Sequence, residues 1–142
     1  MKRCTSLAWL SRQHHTALVL AKRAQRIGTD NTEATCQFMA HAVETFEREL
    51  EPHFRVEEDA LLPLLTIVGE SERVRRTLAE HEELRRLVNR LRAQDATSLR
   101  LFGAALETHV RFEERELFAV AESILAPEAL AVIEMHDPTT GA

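Results

Sequence analysis

The chain has 142 residues, 44% of them hydrophobic, with 4 Gly, 4 Pro and a formal net charge of -5. That is the length of one domain, residues 1–142, with enough apolar material for a core and too little turn chemistry for an all-β fold. The acidic balance, with Arg interleaved among Glu, speaks against a nucleic-acid surface, and no apolar run reaches the ~18 residues that a membrane span needs.

Hydrophobic periodicity predicts a first helix from about Thr5 to Arg26, with Leu7, Leu10, His14, Ala17, Leu18 and Ala21 on its inward stripe. Gly28 stands where a left-handed C-terminal residue belongs. A second helix runs from about Thr32 to Val68, with Phe38, Ala42, Phe46, Leu50, His53, Glu57, Leu61 and Leu64 inward. Pro52 and Pro63 lie inside it, and either is a candidate kink. The third helix runs from Ser71 to about Ala93 on Val74, Leu78, His81, Leu84, Val88 and Leu91. Candidate N-caps between Asp95 and Ser98 open a fourth helix to about Leu125, with Leu99, Phe102, Leu106, His109, Glu113, Leu117 and Val120 inward. Pro127 starts a short fifth helix to about Met135. Four amphipathic helices with short connections predict an all-α, antiparallel up-down four-helix bundle.

Each of the four helices carries a His among its inward positions, which amphipathicity does not require, because an unpartnered polar group in a core costs a few kcal/mol. The second and fourth helices also repeat a motif, His53-Phe54-Arg55-Val56-Glu57-Glu58 and His109-Val110-Arg111-Phe112-Glu113-Glu114, each followed by Leu61 or Leu117. At about 100° per residue, positions i and i+4 lie about 40° apart and one turn apart in height, so His53 with Glu57 and His109 with Glu113 each aim two ligands at one spot. With His14 and His81 from the facing helices, four imidazoles and two carboxylates converge. This mixed N/O set suits iron, manganese or zinc. His15 is the alternative to His14, and Glu114 the alternative to Glu113. His41 and His136 fall off the stripes and read as surface residues. The arms are uneven in one place: 14 residues separate His14 from Gly28, and 25 separate Gly28 from His53, so part of 28–36 should be loop or overhang.

The double His-Phe/Val-x-x-Glu-Glu-x-x-Leu motif, with His81 between its copies, resembles the hemerythrin family, in particular its bacterial single-domain HHE cation-binding branch, over roughly residues 7–125. The resemblance implies a hemerythrin-like bundle and a carboxylate-bridged pair of non-haem irons. Glu57 and Glu113 would bridge, His14 and His53 would hold one iron, and His81 and His109 the other. Two features depart from the oxygen carriers of the family. Arg85 stands where they have a fifth His, and the last carboxylate, Glu113, is four residues after its His rather than five. The missing fifth His puts simple reversible oxygen carriage in doubt. Arg85 reads as a solvated charge, with a gate over the open position as the alternative. No His has Glu three residues before it, which argues against a ferritin-like site. His81-Glu82 lacks the second His of the zinc-protease motif. With no Tyr in the chain, tyrosyl chemistry is impossible.

The expected function is binding or sensing of O₂ or NO, or reaction with peroxide, at two iron ions, with Mn or Zn as substitutes. Iron storage or delivery and a di-iron oxidase or peroxidase are the alternatives. The two cysteines, Cys4 and Cys36, are expected as free thiols in a reducing, cytoplasmic setting. No attached signalling, DNA-binding or ligase domain is expected, so any output is expected from a homodimer, another protein partner or the chemistry itself.

Overall fold

The computed structural model describes residues 3–139. Met1, Lys2 and the last three residues of the tail lie outside the described residues. Five helices form: α1 Thr5–Arg26, α2 over 32–67, α3 Ser71–Arg92, α4 over 98–124 and α5 Pro127–Glu134. α1 packs most closely on α4, α4 on α3, and α3 on α2, giving the up-down ring that the sequence predicts, with α5 laid across α1. Among the described residues no helix is long and apolar enough to cross a membrane.

The ends of the helices show where local chemistry acts. The Asn31 side chain accepts from the Ala34 amide at 3.0 Å and caps α2. Asp95 binds the Thr97 amide and both the Thr97 and Ser98 hydroxyls ahead of α4. Gly28 is not left-handed: α1 ends because Ile27 turns extended, its N–H still bonded to Arg23 O at 3.0 Å. The left-handed residues are Gly69 (φ 92°) and Gln94 (φ 62°), which end α2 and α3. The non-helical stretch 27–31, extended at Ile27 and Asn31 with a bend at 29–30, is the loop that the uneven arms call for.

The prolines do not break α2. Each follows a wide π-helical turn, Phe46–Leu50 before Pro52 and Glu57–Leu61 before Pro63, where the backbone is already relaxed from α-helical spacing. A third π turn, Glu113–Leu117, sits at the matching place in α4. A π turn admits one extra residue, so the inward stripe slips beyond it. Leu65 and Ala121 are fully buried, while the expected Leu64 and Val120 are only partly so. Leu78 is a second correction. It is 41% exposed, and Thr77 takes the inward place one turn before His81, its hydroxyl bonded to Arg73 O at 2.8 Å.

The core forms two apolar clusters. One contains Ala21, Phe38, Phe46, Leu84, Phe102 and Leu106. The other contains Leu7, Trp9, Leu61, Leu117 and Phe118, closed by Leu130 and Ile133 of α5. Between them, along every helix of the bundle, lies a layer of buried polar side chains.

Candidate metal centre

That layer contains the six residues singled out by the sequence. His14, His53, Glu57, His81, His109 and Glu113 are each no more than 5% exposed, whereas His15, His41 and His136 are exposed. Glu57 Oε2 lies 2.9 Å from His53 Nε2, and Glu57 Oε1 lies 3.0 Å from His81 Nε2. Glu113 Oε1 lies 2.9 Å from His14 Nε2 and 3.6 Å from His53 Nε2. Glu113 Oε2 lies 3.0 Å from His109 Nε2 and 3.7 Å from His81 Nε2. Each carboxylate therefore reaches with one oxygen toward the His14/His53 pair and with the other toward the His81/His109 pair. Two four-residue groups that could hold a cation result, His14-His53-Glu57-Glu113 and Glu57-His81-His109-Glu113, with Glu57 and Glu113 common to both.

His14 Nε2 is hydrogen-bonded to Glu113 Oε1 at 2.9 Å, but the other close N···O pairs are not aligned as hydrogen bonds. Nε2 of His53, His81 and His109, both oxygens of Glu57 and Oε2 of Glu113 are buried without a hydrogen-bonding partner, although atoms 2.9–3.0 Å away would be near enough. Nitrogens and oxygens that approach each other yet point past each other are what a shared cation requires. Two donors about 2.1 Å from one ion and at right angles about it stand about 3.0 Å apart. Buried polar atoms left without partners are costly, so the donor set suits a metal well.

The outer face of each imidazole is already committed. His53 Nδ1–H donates to Gln13 Oε1 at 2.7 Å, His81 to Glu58 at 2.6 Å, His109 to Glu80 at 2.7 Å and His14 to Glu114 at 2.6 Å. With the Nδ1 proton directed outward, loss of the inner proton leaves the Nε2 lone pair facing inward, the arrangement in which imidazole binds a metal. The four acceptors form a closed ring: α1 serves α2, α2 serves α3, α3 serves α4, and α4 serves α1. Each acceptor is the chain neighbour of a residue in the inner cluster. Glu114, the alternative to Glu113 on sequence, has this outer role. Arg85 is half-buried and ion-paired rather than freely solvated. It binds Glu58 at 2.9 and 3.2 Å and Glu51 at 3.0 Å, bracing the carboxylate behind His81.

Charges reinforce one another in the metal-free cluster. Burial pulls the His53 imidazole down, but the negative charges of Glu57 and Glu113 outweigh it and push it up to about 10. In the same way His81 is pushed to about 11 by Glu113, Glu57 and Glu58, and His109 to about 9 by Glu113 and Glu80, each against burial. Burial acts to raise the Glu113 carboxyl, yet His109 and the other imidazoles hold it well below the usual range. Phe54 stacks on His81 with ring centroids 3.9 Å apart, and Phe118 lies parallel to His14 at 5.4 Å, which fixes both rings and keeps the layer dry.

A family model described as hemerythrin HHE cation binding domain matches residues 5–121. The chain belongs to this hemerythrin family. No curated protein and no solved structure matches it. The matched span takes in all six inner residues of the hemerythrin fold described here, all four acceptors behind them and all three π turns. A hemerythrin HHE domain binds a cation, and the buried His/Glu layer is where this chain can hold one.

Proposed function

We propose that the chain holds two non-haem iron ions, one by His14 and His53, the other by His81 and His109, with Glu57 and Glu113 bridging them, and that it uses them to bind or sense O₂ or NO or to react with peroxide. The observation that carries this is the pairing of carboxylate oxygens, one toward each half of the layer, with every imidazole Nδ1 bonded outward. The donor count supports an exogenous ligand: each ion would have four protein donors, and a six-coordinate preference leaves about two positions over. Arg85 is turned to Glu51 and Glu58 and supplies no donor there.

When bound, the ion pair supplies a site that can take up a diatomic or peroxide and exchange electrons with it. The chain's own part is to orient and to exclude water. Phe54 and Phe118 hold the rings, the apolar clusters on either side keep bulk solvent out, and the three carboxylate acceptors fix the tautomers of His14, His81 and His109. Glu57 and Glu113 supply negative charge that matches the cations.

Metal-free chain loaded with Fe(II) without air, then exposed to NO or O₂, should change its visible absorption, with two irons per chain. Loss of the response in Glu57→Ala, with the helical circular dichroism retained, is expected. A response independent of Glu57 and Glu113 would overturn the proposal. Iron that leaves at once to a mild chelator would instead favour delivery, and steady peroxide consumption would favour an enzyme.

A further inference from the structure

The outer ring of acceptors is not uniform. Three are carboxylates, each held from outside by further donors: Arg85 on Glu58, Arg76 on Glu80 at 2.9 Å, and Ser11 on Glu114 at 2.8 Å. The fourth, behind His53, is the neutral amide of Gln13. Gln13 precedes His14 on α1 just as Glu80 precedes His81 on α3, so the correspondence between these two helices is broken at this outer position.

The difference has two consequences for ligation. A carboxylate only accepts, so it obliges its imidazole to keep the proton on Nδ1 and also makes Nε2 a stronger donor. An amide can present either its oxygen or its NH₂ group, so Gln13 leaves His53 able to carry its proton on Nε2, and it adds no negative charge. The His81/His109 half therefore has two imidazoles backed by carboxylates, whereas the His14/His53 half has one.

We propose that Gln13 makes the two halves unequal: the chain takes its first divalent cation between His81 and His109 and holds its second, between His14 and His53, more weakly. The inference rests on the two-ion site proposed above. Gln13 is a positioning residue that acts through His53. Repulsion between two dications spreads the two binding steps in any such site, so their spacing alone decides nothing. The deciding quantity is which step responds to residue 13.

The test is calorimetric and absorption titration of metal-free full chain with Co(II). Gln13→Glu should tighten the weaker step by about tenfold and leave the tighter one unchanged, and Glu80→Gln should weaken the tighter step by a similar factor. Gln13→Met, which keeps the side-chain length without the acceptor, should weaken the second step alone. It decides the matter if Gln13→Glu fails to fold by circular dichroism. Unchanged steps in the residue-13 variants, or a change in the tighter step, would overturn the inequality while leaving the site standing. Fewer than two cobalt ions in the wild-type chain would overturn the site itself.

Discussion

Loading the metal-free chain with two divalent cations should release between three and four protons near pH 7.5. The magnitude follows from the cluster. His53 at about 10, His81 at about 11 and His109 at about 9 are all almost fully protonated at that pH, and His14 is raised as well. Metal ligation needs the neutral imidazole, so each ring must lose its inward proton. Each proton displaced makes the overall loading constant rise about tenfold per pH unit, so three or more give about a thousandfold or greater between pH 7 and pH 8. The assay is Co(II) titration in weak buffer with a pH indicator, repeated at the two pH values with a competing chelator. Release of less than one proton per chain, or an affinity flat between pH 7 and 8, would refute the reasoning, because the imidazoles would then already be neutral.

The same charges set the pH dependence of the metal-free fold. Imidazoles raised above their unfolded value of about 6.5 give stability that is fully present below that value and is lost as pH rises through about 9 to 11. Thermal melts of metal-free chain should therefore weaken across that window, while melts of the loaded chain should not. Gly103→Ala should destabilise by about 1–2 kcal/mol: the new methyl would lie 2.5 Å from the Ala21 carbonyl oxygen and 2.8 Å from Gln25 Cγ. Because the 2.5 Å contact is with backbone, the overpacking cost lies in the upper range, about 2–3 kcal/mol, against a helix-propensity gain of about 1 kcal/mol, and a melting temperature equal to or above wild type would contradict this. Leu78→Glu, at a 41% exposed position, should change stability by less than about 0.5 kcal/mol, whereas fully buried Leu84→Ala should cost about 2–5 kcal/mol by denaturant unfolding.

The helices and the six inner residues were legible because burial on one helical stripe and the i, i+4 spacing are both periodic signals. His14 over His15 and Glu113 over Glu114 followed from the stripe and the repeat, and the burial of each agrees. The outer acceptors were not identified as such, although the repeat contained a hint. The second Glu of each Glu-Glu pair, and the residues before His14 and His81, sit one position off the inward stripe, where periodicity reads them as surface charge. Their role appears only when the neighbouring helix is in place. The π turns were hidden for a different reason. Nothing in Glu57–Leu61 or Glu113–Leu117 departs from ordinary helical composition, so a constant 3.6-residue period put Leu64 and Val120 inward where Leu65 and Ala121 belong. Gly28 misled because Ile27 had already turned the chain.

Anomalous diffraction at the iron edge, from crystals of chain loaded with Fe(II) and washed, tests the two-ion site most directly. Two peaks about 3.5–4 Å apart are expected, each next to one pair of imidazoles with the Glu57 and Glu113 oxygens on both. A lone peak, or density bound elsewhere while the six side chains hold their metal-free positions, would contradict it.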